Sequence, residues 1–234
     1  MLKLLRNAEF PDCTSRPNVT PSHLDSVKAM CLGAVPIYEK QGAICQETER
    51  HPELTKELTR FMREMVPNFI FSSVQCNFGY AADVHVDGLN IGPSYILSLG
   101  DHSGGGLWIY DPGASAFDVP DVPMKVTSKM RGYPQIQPGD HIYGRVHSIH
   151  NCLTRINGQV PHAVLPFKGE RFSLVFFLQQ SALNPSVKLA KGLRFYGFPP
   201  SRERKPRAEV AAVAVEQDAP DDESLSGSRC LTVG

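Results

Sequence analysis

His85 and Asp87 stand two apart, with His162, Arg171 and Ser173 downstream. Alternate side chains of a strand share a face, so His85 and Asp87 can reach one cation from a single short strand. A histidine on a neighbouring strand would complete a set of two imidazoles and one carboxylate. Such a facial triad leaves positions open for further ligands and suits Fe(II). Zinc accepts the same donors, although closed structural zinc sites take four protein ligands. Arg171 and Ser173 also share a face, and a guanidinium fork beside a hydroxyl can hold a carboxylate. That pair selects His162 over His141, His147 and His150, because Arg171 follows His162 by nine residues, across one turn and onto the next strand. Taken singly, a His-x-Asp pair is more often an ordinary surface or core pair. For Arg171 the plain alternative is an ion pair with Glu170 or Asp140. The joint pattern is far more specific than any of its members.

Several elements must position these groups. Residues 1–21 carry Pro11, Pro17 and Pro21 among polar residues and predict a loosely held arm. Ser22 is a plausible N-cap for a helix from Pro21 that ends near Gly33. A second helix opens at His51-Pro52-Glu53, repeats Leu54, Leu58, Phe61, Met62 and Met65 at helical spacing, and stops at Pro67.

From Phe69 the period shortens. Extended segments are expected at Ile70–Asn77, Val84–Asp87, Ser94–Leu99 and Leu107–Tyr110. More follow at His141–Tyr143, near Ser148–Arg155, at Pro161–Pro166 and at Arg171–Gln179. Asn157-Gly158 predicts a hairpin turn between the Ser148–Arg155 and Pro161–Pro166 strands. Residues 111–139, rich in Pro, Gly and Asp, predict a long loop or lid with one strand near Lys125-Val126-Thr127.

Many short strands after helices imply a mainly β fold with N-terminal helices and a sandwich or jelly-roll core. The expected division is an arm with buttressing helices over 1–68, the β core over 69–200 and a disordered tail over 201–234. That tail opens with Arg202, Arg204, Lys205 and Arg207 and turns acidic at Asp218, Asp221, Asp222 and Glu223. The basic run could be a nuclear address or a phosphate contact, but a solvated charge run is the better expectation.

The chain has 234 residues, 24 basic and 24 acidic side chains and no formal net charge. That balance gives no overall pull toward nucleic acid or anionic lipid, though it permits a local basic groove. The six cysteines form no C-x-x-C pair, and no apolar run approaches the ~20 residues of a membrane span. The first residues are too short an apolar stretch for a secretory leader. Reduced thiols in the cytoplasm or nucleus are therefore expected, with no membrane partner.

With these residues in view, the sequence resembles the Fe(II)- and 2-oxoglutarate-dependent dioxygenases over about residues 69–180. Those enzymes carry His-x-Asp, a distal His, and Arg-x-Ser about ten residues later on a double-stranded β-helix. The segments Leu99-Gly100-Asp101-His102-Ser103-Gly104-Gly105-Gly106-Leu107-Trp108 and Pro166–Phe177 are similar to the branch that oxidises methylated pyrimidines in nucleic acid, the TET/JBP-like enzymes. Similar segments also occur in algal and protist oxygenases. The departure is the long span from His85 to His162, to which residues 111–139 contribute. No separate DNA-reading module accompanies the core.

The resemblance implies His85, Asp87 and His162 as iron ligands. It implies Arg171 and Ser173 as holders of the distal 2-oxoglutarate carboxylate, with Asn77 and Tyr95 as further candidate contacts to that co-substrate; the plain alternatives are a strand-end turn residue for Asn77 and a ring packed in the core for Tyr95. Asn90 would orient Asp87 or cap a turn. It implies oxidation of a substrate C–H bond by O2, with release of succinate and CO2 and with ascorbate as accessory reductant. A methylated nucleic-acid base is one candidate substrate. A protein side chain or a small molecule is another, and a catalytically silent metal-binding jelly-roll is the non-enzyme alternative.

Overall fold

The computed structural model of the protein describes residues 1–200 except 22, 39, 40, 89 and 115–122, together with the backbone of 229–230. The helices are α1 (Leu2–Asn7), α2 (Gln46–Arg50), α3 (Pro52–Met65) and α4 (Val187–Phe195). The strands run β1 (Asp12–Cys13), β2 (Val27–Tyr38), β3 (Gln41–Ile44), β4 (Ser73–Phe78) and β5 (Asn90–Leu99). They continue with β6 (His102–Gly104), β7 (Leu107–Tyr110), β8 (Met124–Lys125), β9 (His141–Ile142) and β10 (Gly144–His147). The last are β11 (Cys152–Ile156), β12 (His162–Val164), β13 (Phe167–Gly169), β14 (Phe172–Gln179) and β15 (Arg229–Cys230).

Two antiparallel sheets make the jelly-roll. The larger runs β1-β2-β4-β14-β5-β11-β15, with β3 paired to β2. The smaller runs β10-β7-β12 and is extended beyond β12 by a bridge between His85 and His162. Reading β4, the 84–86 segment, β5, β7, β10, β11, β12 and β14 in chain order, successive core strands alternate between the two sheets, except that β7 and β10 are neighbours in the smaller sheet. That is the winding of a double-stranded β-helix. It brings the Val84–Asp87 segment beside β12 although they are far apart in sequence.

The period of two sorts β14 into two faces. Phe172, Leu174 and Phe176 face the helical layer and are buried with Leu54, Leu58 and Met62 of α3. Ser173, Val175, Phe177 and Gln179 line the space between the sheets. The expected second helix is α3, with Pro52 at its first turn, where a missing N–H costs nothing. The outer face of the smaller sheet is covered by the 123–139 segment, whose Val126, Met130 and Ile136 are buried against Val84, Trp108 and Ala163. The described part of the expected lid is thus a packed cover with its own apolar core. Residues 115–122 lie outside the described residues.

Four expectations are corrected. The helix read from Pro21 to Gly33 is largely strand β2, and its expected N-cap, Ser22, lies outside the described residues. The run Val27–Val35 is nearly continuously apolar, which suits a strand covered on both faces as well as a helix. Gly33 is no helix cap: it has φ +98° inside β2, and a Cβ there would lie 2.2 Å from the Ser72 carbonyl oxygen. The N-terminal arm is not loose, since α1 forms and Leu5, Phe10 and Val19 are buried. Asn157-Gly158 does not join a hairpin, because β11 pairs with β5 while β12 pairs with β7. Finally, the backbone of Arg229–Cys230, in the tail expected to be disordered, pairs with β11. The rest of that tail lies outside the described residues.

Candidate metal centre

His85 enters the site through its backbone. Its N–H donates to the His162 carbonyl at 3.0 Å, and the His162 N–H returns a bond to the His85 carbonyl at 2.9 Å. This reciprocal pair puts the two imidazoles side by side, with ring centroids 4.3 Å apart. Asp87 is fixed one step on, where its N–H donates to the Gly158 carbonyl at 2.7 Å. One ligand atom from each of His85, Asp87 and His162 lies within 4.8 Å of the other two.

The hydrogen bonds around the triad decide which atoms are free. His85 Nδ1 lies 2.7 Å from the Asp83 carbonyl, and His162 Nδ1 lies 2.8 Å from the Val160 carbonyl. A carbonyl only accepts, so each Nδ1 carries a proton and donates, and in the neutral ring this tautomer leaves the lone pair on Nε2. Asn90 Nδ2 donates to Asp87 Oδ2 at 2.8 Å, which leaves Oδ1 available. Asp87 Oδ1 is 4.0 Å from His85 Nε2, too far for a direct hydrogen bond. Burial and the neighbouring His162 hold the His85 pKa well below the usual histidine value, with the Asp83 carbonyl acting the other way. His85 is therefore neutral, the form that ligates a metal. Two imidazoles that turn Nε2 inward and a carboxylate oriented by a second residue fit a divalent ion such as iron or zinc.

A cavity of about 240 Å³ opens from the triad between the sheets. Its walls are apolar at Ile96, Leu107, Ile156, Val164 and Val175. Its other end is polar and carries Ser173 and Asn77, which are cross-strand partners on β14 and β4. Asn77 Nδ2 donates weakly to Ser173 Oγ at 3.5 Å. Sequence reasoning missed two groups at this end, Arg16 and Tyr80. Arg16 Nη1 donates to Asn77 Oδ1 at 3.1 Å and to the Tyr80 hydroxyl at 3.3 Å. Tyr80 donates in turn to Asn77 Oδ1 at 2.8 Å. Nothing in the spacing of Arg16 marks it. Tyr80, three residues after Asn77 and just past Gly79, could have been found as a strand-end aromatic close to the His85 segment.

Arg171 is buried, at 2% exposure, but it does not line the cavity. Its Nη2 donates to the Gly105 carbonyl at 3.2 Å, its Nε has no partner, and its guanidinium carbon lies 5.3 Å from the Phe167 ring centroid. Gly105 has φ +72°, and a Cβ there would sit 2.7 Å from Arg171 Nε, so the glycine run makes the slot for this side chain. Burial lowers the Arg171 pKa to about 10, partly offset by nearby Tyr80, and the group stays charged at neutral pH. The alternative ion pair with Glu170 does not form, because Glu170 pairs with Arg6 at 2.8 Å.

Tyr95 stands on the wrong face for the cavity. It is in register with Phe176 and packs edge-on against Phe69 at 4.7 Å, in the layer under the helices. It is not a co-substrate contact, because β5 gives Ser94, Ile96 and Ser98 to the opposite face.

A second, more polar cavity of about 510 Å³ shares Val86, Asp87, Gly88 and Asn90 with the first. Arg131, Tyr133, Asn157 and Gln159 line it. It approaches the triad from the direction of the 123–139 cover.

No family model matches the sequence, and no curated protein does. Among solved structures, the chain is similar to an oxidoreductase of the 2OG-Fe(II) oxygenase family from Burkholderia pseudomallei. The identity is 15% and the TM-score 0.44, over 76% of each chain. It is similar to NgTET1 in complex with 5mC DNA at 14% identity and TM-score 0.35, over 65% of this chain and 61% of that one. The ribosomal oxygenase YcfD of Escherichia coli gives 15% and 0.34, over 80% of this chain and 51% of that one. At these identities and scores, any functional assignment rests on the residues themselves. Among the described residues, no helix is long and apolar enough to cross a membrane.

Proposed function

We propose that the protein is an Fe(II)- and 2-oxoglutarate-dependent oxygenase that oxidises a C–H bond of its substrate. One observation carries the reading: two imidazoles, each locked by a carbonyl at Nδ1, offer Nε2 beside a carboxylate whose second oxygen is held by Asn90. An iron ion bound there would supply oxygen activation, driven by decarboxylation of the oxo-acid to succinate and CO2.

The chain's own residues do the rest. His85 and His162 give nitrogen donors at Nε2, and Asp87 gives one oxygen. The apolar walls at Ile96, Leu107, Ile156 and Val164 keep water from the reacting centre. The far carboxylate of the oxo-acid reaches the polar end at Ser173, with Asn77 beside it and the charge of Arg171 buried behind. The substrate enters from the polar cavity under the 123–139 cover, where Arg131, Tyr133, Asn157 and Gln159 offer hydrogen bonds. A methylated nucleic-acid base is the substrate we carry forward, on the resemblance of the Gly100–Trp108 and Pro166–Phe177 segments.

The test is succinate release by purified protein with Fe(II), 2-oxoglutarate and O2, with ascorbate present to keep the iron ferrous. Turnover that disappears in His85→Ala is expected. A wild type that binds Mn(II) and 2-oxoglutarate yet releases no succinate with any substrate pool would leave a silent metal-binding jelly-roll instead. For the substrate, stimulation by methylated oligonucleotides should fall steeply with salt, as phosphate contacts do. Stimulation by peptide pools, with a flat salt response, would replace the base with a protein side chain.

A further inference from the structure

The polar end of the cavity contains an unbalanced set of hydrogen-bond donors. Arg16, Tyr80 and Gln75 all point a donor at one atom, Asn77 Oδ1, at 3.1, 2.8 and 3.3 Å. An amide oxygen has two lone pairs, so three donors oversubscribe it. Asn77 Nδ2 and Ser173 Oγ add polar hydrogens nearby, and their mutual contact is long at 3.5 Å. Among the described residues, no carboxylate lies within ion-pair distance of Arg16. A half-buried cation ringed by surplus donors, on the wall of a cavity, awaits an anion with several acceptor atoms.

Arg16 is held in place by its own loop. Its carbonyl accepts from the Val19 N–H, the Thr20 N–H and the Thr20 hydroxyl at 3.1, 3.2 and 2.9 Å. Val19 is buried in a small apolar cluster with Val27, Ala29 and Tyr80. The segment that carries Arg16 is thus anchored beside the residue that Arg16 contacts. Arg171, by comparison, gives Nη2 to the Gly105 carbonyl, stands over the Phe167 ring with its Nε unpartnered, and is not among the residues that line this cavity.

We propose that Arg16, on the N-terminal arm, is the guanidinium that meets the distal carboxylate of the oxo-diacid, with Tyr80 and Ser173 completing the contact. The inference rests on the oxygenase reading above. Arg171 then acts from behind as a buried charge and as the post on which the glycine run is built. The core domain would be incomplete as a co-substrate site without the arm.

The test uses the full chain loaded with Mn(II), which supports chelation without turnover. Calorimetry compares 2-oxoglutarate with 2-oxobutyrate, which has the same oxo-acid head and no second carboxylate. Arg16→Gln should weaken 2-oxoglutarate binding by about 10- to 100-fold, the range expected for losing a charge-assisted hydrogen bond. Mn(II) affinity, melting temperature and 2-oxobutyrate affinity should stay at wild-type values, and Arg16→Lys should recover part of the loss. Unchanged 2-oxoglutarate affinity in Arg16→Gln overturns the inference and leaves the oxygenase reading standing. Equal weakening of both acids overturns it too, because the effect would then not be read through the second carboxylate. A wild type that binds Mn(II) but no 2-oxoglutarate brings down the oxygenase reading, and this inference with it.

Discussion

Asn90 tests the metal centre without touching a ligand. Its Nδ2 donates to Asp87 Oδ2 at 2.8 Å and lies 3.3 Å from Ser94 Oγ, with the residue 8% exposed. Asn90→Ala removes the group that fixes the carboxylate plane and so decides which oxygen faces the two Nε2 atoms. Partners of this kind are worth about 10- to 100-fold in metal affinity, which is about 1.4–2.7 kcal/mol. Losing a hydrogen bond to a charged group also costs about 1.5–3 kcal/mol of fold stability. In a chain of this size that lowers the melting temperature by about 2–4 °C per kcal/mol. Calorimetry of Mn(II) binding to metal-free protein reads the first quantity, and thermal unfolding reads the second. Ser94→Ala is the control, since it removes only the longer contact and should leave Mn(II) affinity within about twofold of wild type. If Asn90→Ala binds Mn(II) as tightly as wild type while remaining folded, Asp87 is not oriented through this bond. The assignment of its free oxygen to the metal then loses its basis.

Two further outcomes follow from the same geometry. Gly158 has no left-handed φ, but a Cβ there would lie 2.4 Å from Asp87 Oδ2. Gly158→Ala should therefore push the carboxylate out of the triad, weaken Mn(II) binding by at least about tenfold, and lower thermal stability about as much as Asn90→Ala does, because the Asn90 bond to that oxygen goes with it; unaltered metal binding would contradict the placement. The depressed His85 pKa makes the metal-free protein acid-sensitive. Below the unfolded value of about 6.5 the unfolded chain takes up a proton that the folded chain refuses, so stability is full above that pH and falls below it, by up to about 1.4 kcal/mol per pH unit. Denaturant unfolding of metal-free wild type and His85→Asn at pH 7, 6 and 5 should show a shallower decline in the variant, and parallel curves would mean that His85 is not buried neutral.

Period-two patterning made the strands of the barrel legible, because each buries one face under helices and turns the other inward. It placed Ser173 on the inward face of β14, and the backbone bridge between the His85 and His162 segments brings the triad together as their residue types suggested. The same logic left Tyr95 open between a co-substrate contact and a core ring, because a strand covered on both faces carries large side chains on both. Ser94-Tyr95-Ile96-Leu97 offers no polar face to tell inside from outside. Strand β2 was lost for the same reason. A continuous apolar run has no period, and the positive φ of Gly33, set by close approach to the Ser72 carbonyl, imitates a helix end in sequence.

What no local pattern encodes is which distant segment closes an open end of the barrel. Arg16 lies 61 residues from Asn77 and 64 from Tyr80, in a stretch whose three prolines and polar residues resemble a free arm. Its ordering comes from single apolar anchors, Leu5, Phe10 and Val19, each too isolated to show periodicity. Arg171 had the reverse fault: its spacing from His162 marked it strongly, yet the slot left by Gly105 draws its guanidinium under the glycine run. A charge that matches a motif and a charge that lines the cavity are separate facts. The first is written in spacing along one strand. The second depends on which neighbouring glycine leaves room and on which remote loop arrives with a donor to spare.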